Sequence, residues 1–161
     1  MTSFVFTETV PTKLESAALG PNSSTKFSDK DLNKAVKLGT ANNFVLATEG
    51  DDIDGFVKAI EPFTVNDGFS FGSVVRAGRV LAMVGTNQVS TMAVGDYVVA
   101  DTQVALGTAG MAKVKTGVAF SQLGSGTYAV TRQTPLHSMW RCIRIVSGTG
   151  AAGDQVLLER I

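Results

Sequence analysis

The sequence is poor in the residues that build metal sites and disulfide frameworks. Its 161 residues include a single cysteine, Cys142, and a single histidine, His137. A structural zinc site needs about four Cys or His ligands, and a disulfide framework needs cysteines in pairs. One chain can build neither of them, and we expect no metal and no cofactor.

An excess of charge of one sign is also missing. Fourteen Lys and Arg residues balance fourteen Asp and Glu residues, and charged residues make up only 17% of the chain. Proteins that bind nucleic acids usually carry a basic surplus that neutralises phosphates. The balanced charge therefore predicts that nucleic acid is not a partner.

Long apolar runs are absent as well. A long charge-free stretch, residues 80–95, contains Thr, Asn, Gln and Ser, whereas a membrane-spanning helix needs about 20 mostly apolar residues. The first residues lack the basic start and apolar stretch of a signal peptide. We therefore expect no membrane partner, and a soluble protein made in the cytoplasm.

The abundant residues favour β-structure. Val occurs 20 times, Thr 17 times and Gly 17 times, whereas Leu occurs 11 times. β-branched side chains pack well on a pleated sheet, and glycines beside Asn, Asp, Ser or Thr mark the turns between short strands. The composition predicts an all-β fold, a compact β-barrel or β-sandwich of about ten short strands.

The first 27 residues differ from the rest and are interpreted as an N-terminal arm, followed by a β-domain at 28–161. The arm is rich in Ser and Thr and has too little apolar surface to fold alone. It is either a disordered tail or an extended arm that orders on a partner, and Phe4, Val5 and Phe6 favour the arm. Residues 14–19 are compatible with one or two helical turns.

Local signals place the elements of the β-domain. Ser28 followed by acidic residues predicts a short helical turn near 29–33, then a strand at 35–38; the alternative is one helix ending at Gly39. Ala77-Gly78 is interpreted as a turn between two strands. The other predicted strands are 44–48, 55–60, 69–76, 79–84, 97–101, 111–120, 127–132, 139–147 and 156–161.

Two predicted strands are apolar on both faces. Residues 80–84 and 97–100 contain almost no polar side chain, whereas 111–120 alternates between apolar residues and Lys. A strand of a small barrel normally shows one face to water, so an apolar second face needs a cover. These strands predict an oligomer.

No group of residues indicates catalysis. His137 is not accompanied by a nucleophile motif, and the acidic stretch 49–55 lacks the ligand spacing of a calcium-binding EF-hand, which favours a solvated acidic turn. The glycine-rich stretches 124–126 and 148–153 lack the Lys-Ser/Thr ending of a phosphate loop and are interpreted as hairpin loops. Trp140 is interpreted as a core or subunit-interface residue.

Several segments together resemble the small head-decoration, or cement, proteins of tailed bacteriophages. The resemblance spans residues 34–161 and lies in strand lengths, glycine placement and a Gly-Asp turn before an apolar strand. The segments are 34–38, 44–47, 50–57, 71–75, 78–80, 94–100 and 147–158.

This resemblance implies a structural virion protein without enzymatic activity. Its relatives sit on the outer capsid surface, often as homotrimers, and clamp neighbouring major capsid protein subunits. Phe4, Val5, Phe6 and Trp140 are the residues we expect at capsid or subunit contacts. The alternative is another virion module, tail-associated or binding a host-surface glycan, which would need an exposed aromatic platform built from Trp140, Tyr97 and Tyr128.

Overall fold

The computed structural model describes residues 13–20, 26–61, 70–117 and 140–160. The regular secondary structure of the described residues is almost entirely β-strand, with one short 3-10 turn, and five of the strands close into a barrel, which confirms the all-β prediction. The described elements are β1 (Lys13–Leu19), a 3-10 turn (Asp29–Asp31), β2 (Ala35–Leu38), β3 (Phe44–Leu46), β4 (Gly55–Ile60), β5 (Ser70–Val84), β6 (Val98–Ala100), β7 (Lys113–Thr116), β8 (Arg141–Ile145) and β9 (Gln155–Arg160).

The first barrel runs in the order β1-β3-β2-β4-β5 and closes where β5 pairs with β1. The β1–β5 ladder is antiparallel and covers all of β1, from Lys13 opposite Ala77 to Leu19 opposite Ser70. The β1–β3 contact is a single parallel pair, Leu19 with Phe44. One well-formed seam and one short seam therefore hold β1 in the barrel.

Strand β5 is shared between two halves of the molecule. Its residues 70–77 belong to the first barrel, and its residues 78–84 pair with β9 and β7. The second sheet consists of that half of β5 with β7, β6, β8 and β9, and it curls until Tyr97 bridges Arg141. The fifteen residues of β5 therefore join the two halves without an intervening linker.

The predicted turn at Ala77-Gly78 is wrong, because β5 continues through it. The residues before and after this dipeptide pair with different partners, β1 and β9, instead of with each other. Gly78 has φ of 117°, a value that L side chains rarely adopt, so glycine marks the passage from one sheet to the other and not a hairpin.

Residues 13–19 lie inside the predicted arm but form a strand of the barrel, and the helical alternative for residues 14–19 is wrong. The sequence Lys13–Leu19 contains good helix formers. Pairing along its whole length with β5 and burial of Leu19 outweigh that preference. Local propensity is a weak prior where tertiary contacts are this extensive.

The other elements follow the prediction where they are described. The 3-10 turn at Asp29–Asp31 and the separate strand β2 replace the single-helix alternative. Strands β3, β4, β6, β7, β8 and β9 fall within a residue or a few of their predicted positions. The predicted strand 127–132 and residues 118–120 lie outside the described residues.

Two hydrophobic clusters fill the halves. The smaller one lies within the first barrel and contains Leu19, Phe27, Val36, Phe44, Val57 and Val74. The larger one fills the second sheet around Trp140 and extends beneath β2, β4 and β5 through Ala35, Phe56 and Val75. The molecule thus has one small core and one large core on either side of the same strands.

Candidate contact surfaces

Of the four residues expected at capsid or subunit contacts, one is buried in the core and three lie outside the described residues. Phe4, Val5 and Phe6 lie outside the described residues, as does His137. Trp140 lies in the large core with 0% of its surface exposed. Its indole packs edge-on against the Phe56 ring, with 4.8 Å between centroids. Trp140 therefore stabilises the chain from inside, and its surface is not available to a second chain in this structure.

The acidic stretch at 49–55 is built into the fold by hydrogen bonds. The Asp51 carboxylate accepts hydrogen bonds from the Thr48 amide and hydroxyl and lies 2.6 Å from the Lys37 ammonium. Asp54 accepts a hydrogen bond from the Leu38 amide at 2.8 Å. Among the described residues, no group of three or more His, Cys, Asp or Glu side chains is placed to hold a metal ion.

The glycine-rich loop between β8 and β9 binds its own carboxylate. The amides of Thr149, Gly150 and Ala151 converge on one oxygen of Asp154, at 2.8, 3.0 and 2.9 Å. A cluster of amides of this kind attracts anions. Here Asp154 already fills it, and the loop is a hairpin connection, as predicted.

A buried ion pair fastens the first barrel to the second sheet. Asp31 and Lys34 are 0% and 1% exposed and lie 2.5 Å apart. Lys34 also donates to the carbonyl of Ala105, and the Gly107 amide donates to Asp31 at 2.8 Å. Residues 105–107 precede β7, so the pair holds that loop against the turn before β2.

The same contacts set the ionisation of Asp31. Burial by itself raises the pKa of the Asp31 carboxyl, but hydrogen bonds from Lys34, Ser28 and Gly107 together hold that pKa below its ordinary value. Asp31 is therefore ionised at neutral pH, as the pairing with Lys34 requires.

The free thiol of Cys142 is buried, and burial raises its pKa. A buried thiol of this kind stays protonated at neutral pH and is unreactive.

One exposed face of the first barrel carries no charged side chain. The cross-strand pairs Leu14 with Val75, Ser16 with Ser73 and Ala18 with Phe71 place these side chains on the same side of the β1–β5 ladder. Leu14 is 54% exposed and Phe71 is 48% exposed. We call the exposed part of this ladder, Leu14, Ser16, Ala18, Phe71 and Ser73, the β1–β5 face. Uncharged surface with large apolar side chains is typical of the centre of a protein interface.

The second sheet also leaves apolar side chains at the surface. Of the two strands that are apolar on both faces, Val80, Ala82, Val98 and Ala100 point into the large core. Leu81 and Tyr97 remain exposed on the outer side, and Val94 in the loop before β6 is exposed as well. In a single copy of the chain, the second face of each strand is therefore only partly covered.

A cleft opens beside the middle of β5, where the two halves meet. Its volume is about 280 Å³. Its apolar lining includes Phe56 and Val57 of β4, Val75 and Val80 of β5, and Met111 before β7. Lys58 and Arg79 are the charged residues of the lining. We call it the β5 slot.

Comparison with protein-family models, curated proteins and solved structures finds no match. In the described part of the chain, no helix is long and apolar enough to cross a membrane.

Proposed function

We propose that this protein is a structural virion protein that binds the outer surface of a phage capsid and clamps neighbouring major capsid protein subunits. It acts without catalysis, and it works as a homotrimer. The resemblance over residues 34–161 supports this proposal, and so does the kind of surface that the fold exposes.

The observation that carries the proposal is the β1–β5 face. It is an uncharged surface on the best-paired seam of the barrel, with Leu14 and Phe71 half exposed at its two ends. A sheet surface loses little conformational entropy on binding, because its backbone is already ordered. Such a face suits docking onto a neighbouring protein surface.

The position of β1 supports a clamping role for the N-terminal segment. Phe4, Val5 and Phe6 stand a few residues before Lys13, where β1 enters the barrel beside this face. A segment anchored to the β1–β5 face at one end can contact an adjacent capsid subunit while the face holds the first one. Each contact can then be modest, because linking two contacts raises the effective concentration of the second.

The glycan-binding alternative loses its strongest residue. An aromatic platform for sugars has to be exposed, and Trp140 is buried in the large core. Tyr97 is exposed on the outer side of the second sheet. Tyr128 lies outside the described residues. The interpretation as a decoration protein is therefore the one that the described surface favours.

Co-sedimentation with purified phage heads that lack this protein tests the proposal. We expect the wild-type chain to sediment with the heads and imaging to place it on their outer surface. Light scattering should give a molar mass near three times 16.8 kDa. A monomer that stays in the supernatant would contradict the proposal.

Substitutions on the β1–β5 face locate the contact. The double variant Leu14→Glu/Phe71→Glu places two charges on this face and should reduce binding to heads by at least tenfold, about 1.4 kcal/mol. The matched control Leu38→Glu/Val146→Glu charges two exposed apolar residues elsewhere and should bind normally. Deletion of residues 1–12 should also weaken binding while leaving β1 in place.

A further inference from the structure

Residues 78–82 of β5 have a described partner strand on one edge alone. β1 pairs with residues 70–77 and β4 with residues 72–75, whereas β9 pairs with residues 78–83 and β7 with Met83 and Val84. Among the described strands, the edge of residues 78–82 that faces away from β9 is therefore unpaired, which leaves a gap in the sheet.

The hydrogen-bond pattern shows which amides face this gap. The Met83 amide donates to Ala112 on the β7 side, whereas the Val84 amide donates to Asp154 on the β9 side. Backbone groups of successive strand residues point to opposite edges. The β5–β9 ladder continues without a register shift from Met83 to Gly78. The N–H and C=O groups of Leu81 and Arg79 therefore face the same edge as those of Met83, into the gap.

The gap coincides with the β5 slot. Arg79 and Leu81 line the slot, together with Phe56 and Val57 of β4 and with Met111, two residues before β7. The slot thus combines an unpaired backbone edge with an apolar lining. This is the combination that proteins use to bind an extended peptide as an added strand, in which the backbone gives affinity and the side-chain pockets give specificity.

The charge around the slot selects the peptide. Val57 pairs with Val74 and Ala59 pairs with Ser73, so Lys58 is the extra residue of a β-bulge and is directed to the rim of the slot. In the described part of the chain, Lys58 has no ion-pair partner. Arg79 is balanced by Glu159 at 3.3 Å.

Two cations line the slot, Lys58 and Arg79. Arg79 is balanced by Glu159, whereas Lys58 has no ion pair in the described part of the chain. The lining of the slot therefore carries one unbalanced positive charge, which an acidic side chain would balance.

We propose that the β5 slot binds an extended, acidic segment of the major capsid protein, which pairs with the backbone of Arg79 and Leu81 as an additional strand. The occupant rests on the proposed function, because the capsid subunit is the partner that the proposed function supplies. The segment would fill the gap at residues 78–82 and place its acidic side chain beside Lys58. The β1–β5 face and the β5 slot would then contact different parts of the shell.

Hydrogen exchange of the full-length protein, free and bound to heads that lack it, tests the pairing directly. In the free protein, the amides of Arg79 and Leu81 should exchange faster than those of Val80 and Ala82, which point to β9. On binding to heads, Arg79 and Leu81 should become protected at least tenfold, and the two β9-facing amides should change little. Unchanged exchange at Arg79 and Leu81 on bound protein overturns the slot proposal.

A charge-reversal pair provides a second measurement on the same sample. Lys58→Glu should weaken binding to heads by about tenfold, and Lys30→Glu, an equal charge change at an exposed residue of the 3-10 turn, should have little effect. Equal binding of the two variants overturns the choice of an acidic segment. If the wild-type chain does not bind heads at all, both the proposed function and the slot proposal fail. Normal binding by wild type and by Lys58→Glu removes only the slot.

Discussion

The first barrel and the second sheet share β5 but are stabilised by different means. The first barrel surrounds six buried apolar residues, and its weakest seam is the single Leu19–Phe44 pair. The larger cluster has seventeen buried residues, with Trp140 and Phe56 in aromatic contact; it fills the second sheet and extends beneath β2, β4 and β5. Burial of apolar area is the main stabilising contribution in folding, so most of the stability comes from this larger cluster.

The larger core therefore supplies most of the stability, whereas the first barrel carries the exposed β1–β5 face. The smaller core leaves the β1–β5 face exposed, and the polar pair Asp31–Lys34 compensates by fastening the first barrel to the loop before β7. Regions with few buried apolar contacts open at lower free energy than the global unfolding reaction. We therefore expect the first barrel to open before the second sheet.

The largest loss of stability should follow removal of the aromatic contact in the second sheet. Trp140→Ala leaves a large cavity beside Phe56 and should lower the free energy of unfolding by about 3–5 kcal/mol. Among the described residues, none accepts a hydrogen bond from the buried Trp140 Nε1 atom. The control Trp140→Phe should therefore cost clearly less, since it keeps a ring and loses no hydrogen bond to these residues. Urea denaturation measures both, and a loss below about 1 kcal/mol for Trp140→Ala would show that the large core does not dominate.

A somewhat smaller loss should follow when the buried ion pair is broken. Lys34→Met leaves the ionised Asp31 carboxylate buried without its ammonium partner and should cost about 3 kcal/mol. The matched control is Lys37→Met, because the Lys37–Asp51 pair is 35% and 25% exposed and should contribute about 1 kcal/mol or less. Hydrogen exchange should show faster opening of residues near β1 and β2 in Lys34→Met. Equal losses in the two variants would mean that burial of the pair is unimportant.

Much of the strand pattern was predictable, because it depends on local signals. Strand β4 lies at its predicted residues, since Gly55 and Pro62 bound an apolar run. Ala77-Gly78 misled the prediction because a turn and a passage between sheets share the same glycine signal, and only the partners of β5 distinguish them. The helix-forming residues of β1 gave no sign of its pairing, which is a long-range contact.

The candidate surfaces were much less predictable. Tryptophan is a residue type typical of interfaces, but Trp140 is buried against Phe56. The sequence did not indicate this contact, because Phe56 lies far from Trp140 along the chain. Phe71 was part of a predicted strand, but its exposure depends on which face of β5 the core covers. The slot depends on where β4 and β7 stop pairing with β5, and strand ends are the least certain part of a sequence-based prediction. The β-bulge at Lys58 was not predictable either, because it is defined by the pairing of β4 with β5.

Acid should lower the stability of the protein by a graded amount. Burial by itself raises the pKa of Asp31, Asp51 and Asp101. Hydrogen bonds that these carboxylates accept from Lys34, Lys37 and Asn87 respectively, and from further donors, leave all three pKa values below the ordinary value. A carboxyl whose folded pKa lies below its unfolded value binds fewer protons in the folded state, so its stabilisation is present above about pH 4 and is lost as the pH falls further. We expect the free energy of unfolding to decline below about pH 4.

The double variant Asp31→Asn/Lys34→Met sharpens this expectation. It removes one of the three carboxylates, and the decline of stability in acid should be shallower than in the wild type. Urea denaturation at a series of pH values measures the slope. An unchanged slope would mean that Asp31 titrates alike in the folded and unfolded chain, contrary to its buried hydrogen bonds.

The smallest effect on stability should come from the β1–β5 face, although its effect on binding should be large. Leu14→Ser/Phe71→Ser removes two half-exposed apolar side chains, and substitutions at such positions usually change stability little. We expect a loss of about 1 kcal/mol or less in the free energy of unfolding, together with weaker binding to heads. A loss comparable to that of Lys34→Met would show that these side chains support the small core. An unchanged free energy of unfolding together with weaker binding to heads would show that Leu14 and Phe71 serve binding. Their exposure would then have little effect on stability, because the larger core supplies most of it.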